Sequence, residues 1–294
     1  VTFKKNPGAD CGDPVNCGRQ PTEACYAARI ADVGRALASV VDVWGPANEP
    51  NLGDTWLPGT DGARLLARYW AAFTGVLAAY DPSAQAISPE FADRSDGGSL
   101  APYVNAYKAA GGGFGNYVGY HAYWGVQAMS RAPTDELAAL TPPELPIWIT
   151  EVGAFGVNPS RSIDNSDRQQ AVRVNWMLNA PDGLAHHPRV GRISYYHLQA
   201  AADPDLWDSA LSNADGTPRP AWLTWCATAH GGDETVCHDG ADAVAPGEGG
   251  ALVVGRSSGR GLLGAEGWTG APFWATHVAD VTGDGRADAI ATGA

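Results

Sequence analysis

Positive charge is scarce in this chain. Against 32 Asp and Glu stand only 19 Lys and Arg in 294 residues, a formal net charge of −13. So acidic a surface argues against nucleic acid or anionic membrane as the main partner and suits a neutral ligand such as a sugar. No run of about 18 apolar residues occurs, so no membrane-spanning helix is expected. No cysteine pair has the C-x-x-C spacing, which disfavours a zinc site. No predicted strand is followed by a Gly-rich phosphate loop, which disfavours nucleotide binding. The chain opens on Val1 rather than Met and shows no signal peptide, so it is expected to be a piece of a longer or processed protein.

What is present is more informative. Apolar residues make up 45% of the chain, as in an ordinary globular protein. Eleven Trp serve core packing, and their flat faces also suit stacking on sugar rings. The five cysteines fall into an early group, Cys11, Cys17 and Cys25, and a late pair, Cys226 and Cys237. Their close spacing in polar, Gly/Pro-rich loops suggests disulfides and an oxidising, extracellular setting, with Cys226–Cys237 as the expected pair.

Short apolar runs alternate with amphipathic helical patterns as far as residue 230. "VTFKK", "VVDVWG", "AQAISPE", "YVGYHAYWG", "LPIWITEVG" and "GRISYYHLQ" read as strands. Between them, "ACYAARIADVGRALASV" places Ile30, Val33, Leu37 and Val41 at helical spacing. "DGARLLARYWAAFTGVLAAY" places Leu66, Tyr69, Trp70, Phe73 and Leu77 on one face. Further helices are expected at "LAPYVNAYKAA", "SDRQQAVRVNWMLNA" and "PRPAWLTWCATA". Strand alternating with helix predicts an α/β fold of parallel strands with right-handed crossovers. The strand ends favour a TIM barrel, because they carry Asn48 and Glu49, Glu90, His121 and Tyr123, Glu151, and Tyr196 and His197. The pattern is about two β/α units short of a complete (β/α)8 barrel. Residues 1–230 are thus expected to be a partial barrel, 231–249 a Gly-rich linker, and 250–294 a short all-β segment.

Glu49 and Glu151 are the candidate reactive pair. Each ends a short apolar strand, where the sheet behind fixes the carboxylate and the pocket lies in front. Two such acids can cleave a glycosidic bond, one protonating the leaving oxygen and the other attacking the anomeric carbon. Glu90 also ends a strand and is the rival to Glu49. Trp56, in the loop after Glu49, is expected to be a surface aromatic or a subsite wall. His186 and His187 are expected at the surface, and Asp42 inside its strand, meeting a barrel partner.

"GPANEPN" together with "WITEVGAFG" resembles the clan A glycoside hydrolases, retaining enzymes on a TIM barrel. The resemblance covers roughly residues 1–230. It implies that Glu49 is the acid/base and Glu151 the nucleophile, with Asn48 bonding the sugar hydroxyl beside the anomeric carbon. It also implies that His121 binds substrate or tunes the acid/base and that Tyr123 bonds the nucleophile, or that the two exchange roles. Trp124 would stack on sugar or pack in the core. "WDSALSNADGTPRPAW" resembles the stretch after the eighth strand in these enzymes, which makes Trp207 a candidate pocket floor.

"DVTGDGRAD" places oxygen ligands at Asp280, Thr282, Asp284 and Asp288, with the Arg286 carbonyl between, around a Gly turn. That set suits a hard cation such as Ca²⁺. The stretch resembles an FG-GAP or VCBS repeat, part of a calcium-binding β-propeller. The expectation is therefore a secreted retaining glycosidase acting on an oligo- or polysaccharide, with no cofactor for catalysis. Its rivals are a catalytically silent carbohydrate-binding barrel and a propeller-dominated adhesion protein.

Overall fold

The computed structural model describes residues 21–38, 41–52, 57–156, 166–200 and 208–229, and beyond these five backbone strands between 243 and 293. The expected strand at "VTFKK" lies outside the described residues, as do Cys11, Cys17, Trp56, Trp207, Cys237 and residues 280–287 of the calcium motif.

Helix α1 (Glu23–Leu37) begins where Thr22 accepts the Cys25 N–H at 3.2 Å, satisfying a donor that the first helical turn leaves unpaired. Its apolar stripe packs on α2 (Gly59–Tyr80), with Tyr26 stacked on Tyr69 at 4.5 Å between ring centroids. The expected α2 face is the observed one: Leu66, Tyr69, Trp70, Phe73 and Leu77 are all buried. Each such side chain withdrawn from water contributes roughly 1.5–3 kcal/mol. That burial, rather than helix propensity, pins α2 to the sheet.

Between the helices run short parallel strands. β1 (Val43–Trp44) pairs with β2 (Gln85–Ala86), and a parallel bridge from Asn48 to Glu90 continues that contact toward β3 (Phe91–Ala92). β3, β4 (Val118–His121), β5 (Ile147–Val152) and β6 (Val190–Tyr195) then follow in sequential order, all parallel. A doubly wound sheet would reverse its strand order at a switch point; this one advances in one direction, as a barrel wall does. α3 (Ala101–Ala109), α4 (Tyr123–Ala128), α5 (Ala132–Leu140), α6 (Asp167–Asn179) and α7 (Pro220–Ala229) complete the crossovers. Ile147 and Ile149 of β5 are fully buried and alternate with half-exposed Trp148 and Thr150.

The C-terminal strands are antiparallel. β7 (Ala243–Pro246), β8 (Leu252–Ser257) and β9 (Leu262–Trp268) form one sheet, and β10 (Phe273–Ala279) pairs with β11 (Asp288–Gly293). β7 falls inside the segment expected to be a linker, where "AVAP" supplies just enough extended chain to pair with β8.

Three other expectations need correction, and one helix was not expected. The strand at "YVGYHAYWG" stops at His121, and Tyr123 and Trp124 open α4 instead. α5 was not legible, because its nine residues carry little helical period and bury only Thr134 and Leu137. His187 is buried, not at the surface: its Nδ1 accepts the Arg189 N–H at 3.1 Å and its Nε2 faces Asp135 at 3.3 Å. Asp42 precedes β1 and is exposed.

Candidate active site

The turn after β1 holds Glu49 in an unusual backbone. Its φ is +46°, in the left-handed region that an L-residue enters at a cost of about 1–2 kcal/mol. Backbone pairing holds it there. The Glu49 N–H donates to the Glu90 carbonyl at 2.9 Å, and the Glu90 N–H donates to the Ala47 carbonyl at 2.9 Å. The buried Asn51 side chain donates to the Ala92 carbonyl at 2.8 Å and accepts the Ala92 N–H at 2.9 Å. Tyr26 of α1 donates to the Pro46 carbonyl at 2.5 Å. The run of Gly, Pro and Asn is therefore a clamp that turns a strand-end carboxylate toward the neighbouring strands.

Glu151 arrives differently, inside β5. Against β4 the pairing runs Tyr120 with Ile149 and then His121 with Glu151, skipping Thr150. Such an irregularity re-aims a side chain by one position, and here it sets Glu151 beside His121. The Tyr123 hydroxyl donates to Glu151 Oε1 at 2.7 Å.

His121 links the two acids. Its Nδ1 lies 3.0 Å from Glu49 Oε1 and 3.8 Å from Glu151 Oε2, while its Nε2 faces Glu90 Oε2 at 3.8 Å. One oxygen from each of Glu49 and Glu151 and a ring nitrogen of His121 lie within 4.8 Å of one another. Burial alone would lower the His121 pKa, but Glu151, Glu49 and Glu90 outweigh it and raise the pKa to about 9. The imidazole is therefore charged at neutral pH. The same three atoms are close enough to approach one cation, but His121 would first have to give up a proton.

A buried acid behind the site, Asp93, shows no sequence signal. Its carboxylate accepts the N–H groups of Trp124 at 3.0 Å and Gly125 at 2.6 Å, capping the first turn of α4. This cap ends the strand at His121 and starts the helix at Tyr123. Burial pushes the Asp93 pKa up to about 7, although the two N–H bonds and His121 pull it down. Gln127 straps the other end of α4, donating to the Gly153 carbonyl at 2.9 Å and accepting the Phe155 N–H at 3.0 Å. Tyr123 stacks on Phe155 at 6.0 Å and meets Tyr196 edge-on at 6.5 Å. Trp124 is half-exposed and touches Phe155 edge-on at 5.9 Å.

Of the expected site residues, Asn48, Glu49, His121, Tyr123, Trp124 and Glu151 thus gather at the carboxyl ends of β1, β4 and β5. Trp207 and the loop portion of the calcium motif lie outside the described residues, and Asp288 is described only as the first residue of β11. Cys226 is disulfide-bonded, but its expected partner Cys237 also lies outside.

A parallel barrel-type sheet whose strand ends converge on paired carboxylates suits a glycoside hydrolase. The family model described as the glycosyl hydrolase catalytic core matches residues 47–224, more than half of the chain, and the chain belongs to that family. Among solved structures, it is similar to GH5_18 from Streptomyces cattleya in complex with GlcNAc. The TM-score is 0.52 and the identity 15%, over 71% of this chain and 53% of that one. It is also similar to xylanase 10B from Thermotoga maritima, with TM-score 0.50 and 16% identity over 71% of this chain and 66% of that one. A GH128 endo-β-1,3-glucanase from Pseudomonas viridiflava matches with TM-score 0.48 and 18% identity over 76% and 77%. No curated protein matches the sequence at a significant level.

Proposed function

We propose that the chain hydrolyses O-glycosidic bonds with retention, Glu49 serving as acid/base and Glu151 as nucleophile. The observation that carries this reading is the closeness of the two acids, with oxygens within 4.8 Å of each other. Retaining pairs stand about 5–5.5 Å apart, whereas inverting pairs stand about 6.5–9.5 Å apart to admit a water. In the first step Glu49 gives its proton to the leaving oxygen. The bond from the anomeric carbon to that oxygen breaks as a Glu151 oxygen bonds the same carbon. In the second step Glu49 takes a proton from water, whose oxygen displaces Glu151 and releases the sugar. Tyr123 holds Glu151 Oε1, leaving Oε2 to attack. Asn48 bonds the hydroxyl beside the anomeric carbon, and Trp124 with Trp207 supplies aromatic surface for the sugar.

The substrate is an oligo- or polysaccharide. The likeness to xylanase 10B makes β-linked xylo-oligosaccharides the first to try. The protein acts outside the cell, and residues 250–294 belong to an FG-GAP or VCBS-type repeat that holds Ca²⁺ at Asp280, Thr282, Asp284, the Arg286 carbonyl and Asp288. EDTA is expected to lower the melting temperature of that C-terminal unit and leave turnover unchanged; loss of turnover on chelation would refute the separation.

The deciding experiment uses the anomeric proton NMR of early product together with Glu151→Gln. Product of unchanged anomeric configuration is expected, and the variant should lose at least about 10⁴-fold in kcat, because an amide cannot form the glycosyl ester. Inverted product, or appreciable turnover by Glu151→Gln, overturns the assignment.

A further inference from the structure

Glu90 is a third carboxylate in the cluster, and neither role in the two-step reaction uses it. It is 6% exposed, as deeply placed as any acid near the site except Asp93. The fold makes room for it: a Cβ on Gly119 of β4 would stand 2.9 Å from Glu90 Cγ, so a strand residue with a side chain there would displace it. Its backbone is bonded on both sides to the turn that carries Glu49. Its Oε2 faces the Nε2 edge of His121, opposite the Nδ1 edge that contacts Glu49. His121 thus has acids on both ring nitrogens, Glu49 and Glu151 at Nδ1 and Glu90 at Nε2.

We propose that Glu90 is a positioning residue that acts through His121 to keep the proton of the Glu49–His121 pair in the site, and so sets the pH range over which the enzyme works. The inference rests on the reading of Glu49 as acid/base. A competent site must hold a proton on Glu49 for the leaving group while His121 remains an imidazolium donating to Glu49 Oε1. The two groups are in hydrogen-bond contact, so their protons leave in steps that belong to the pair. A fixed anion on the far edge of the imidazole makes the loss of either proton harder.

Every charged or titratable group described around His121 has a distinct position. Glu49 comes from the turn after β1, Glu90 from the segment between β2 and β3, Asp93 from beyond β3, and Glu151 from β5. Tyr123 and Tyr196 face Glu151 and stay neutral, since burial raises both hydroxyl pKa values. Asp93 spends its carboxylate on the α4 cap. Glu90 is thus the acid described on the Nε2 edge.

Replacing it by the near-isosteric Gln makes the cluster one charge more positive. Protons then leave at lower pH: the alkaline limb of the kcat/KM profile falls as the pair deprotonates sooner, and the acid limb falls as Glu151 ionises sooner. The whole optimum moves toward acid. The damage at neutral and higher pH should appear with leaving groups that need protonation and vanish with those that do not.

The test compares wild type, Glu90→Gln and Glu90→Asp on 4-nitrophenyl and 2,4-dinitrophenyl β-xylobiosides, or the same aryl pair on whichever sugar the wild type cleaves. For Glu90→Gln we expect both limbs to move down by about one pH unit or more, with kcat/KM at pH 8 down about 10- to 100-fold on the poorer leaving group and within about threefold of wild type on the better one. Glu90→Asp, which keeps the charge, should restore the wild-type limbs even if its rate is lower. Equal losses at every pH, with limbs unmoved, would mean that Glu90 is only structural. If Glu90→Gln fails to fold, as judged by circular dichroism, the proposal stands or falls on Glu90→Asp: limbs displaced in that variant would refute it. Should Glu49→Gln or Glu151→Gln remain fully active, the acid/base reading fails first, and that outcome is distinct from an unmoved Glu90 profile.

Discussion

Glu49 and Glu151 occupy the same rim and are held there by opposite means. Glu49 is placed by backbone: a left-handed turn, two interstrand backbone bonds and the Asn51 clamp on Ala92. Glu151 is placed by the skipped pairing at Thr150 in β5 and by a side chain: Tyr123, itself seated on the Asp93-capped α4, takes hold of its Oε1. The chemistry makes sense of the contrast. In the proposed role of acid/base, Glu49 must swing between proton donor and acceptor, which suits a carboxylate left partly open, at 24% side-chain exposure, over a hydrogen-bonded backbone. In the proposed role of nucleophile, Glu151 must present one oxygen at one angle, which a hydrogen bond to the other oxygen favours. Glu151 accordingly shows 14% exposure.

The sharpest way to break this comparison, after removal of Glu151 itself, is to remove Glu49. Glu49→Ala is expected to lower kcat about 10²–10⁴-fold on substrates with poor leaving groups. On dinitrophenyl glycosides the first step should survive and the second should limit, so added azide should restore turnover and give a glycosyl azide of retained configuration. Glu151→Ala should show no such rescue with retention. Identical responses of the two variants would mean that the roles have not been told apart.

A smaller effect is expected where Glu151 meets its side-chain support. Tyr123→Phe keeps the ring stacked on Phe155 and removes only the hydroxyl. The nucleophile then loses one hydrogen bond, and kcat should fall about 10- to 100-fold, as for the loss of one 1.5–3 kcal/mol bond to a charged group. KM should change little. A fall in KM as large as that in kcat, seen in steady-state kinetics, would instead mean that the glycosyl-enzyme accumulates and that Tyr123 serves the second step.

Both acids were legible in the sequence, because each ends a short apolar run and because "GPANEPN" is dense in turn residues. The α2 face was legible for the same kind of reason: five large apolar side chains recur at helical spacing from Leu66 to Leu77 within a 22-residue helix, and one period dominates. The supports were not legible. Tyr123 looked like a strand residue because Tyr and Trp favour strands, and the signal that starts a helix there is Asp93, some thirty residues away on another crossover. Long-range capping leaves no local pattern. The skipped residue, Thr150 between Ile149 and Glu151, is likewise a property of two strands together, and period-two counting on either alone assigns Glu151 to the wrong neighbour. His187 read as surface because it follows another His beside a Pro, yet its partners Arg189 and Asp135 bury it.

The backbone support of Glu49 can be weakened without touching any group that meets substrate. Asn51→Ala leaves the N–H and carbonyl of Ala92 buried without their partner, at about 1–3 kcal/mol each. We expect a stability loss of about 2–4 kcal/mol and a melting temperature lower by roughly 5–10 °C. Turnover well below that temperature should fall only a few-fold, because the Glu49 N–H still donates to the Glu90 carbonyl and still fixes the left-handed turn. Thermal unfolding and kcat measured on the same preparation decide the matter. A variant with unchanged melting temperature but kcat reduced a hundredfold would show that Asn51 steers the carboxylate itself. Glu49 would then be held by a side chain after all, just as Glu151 is.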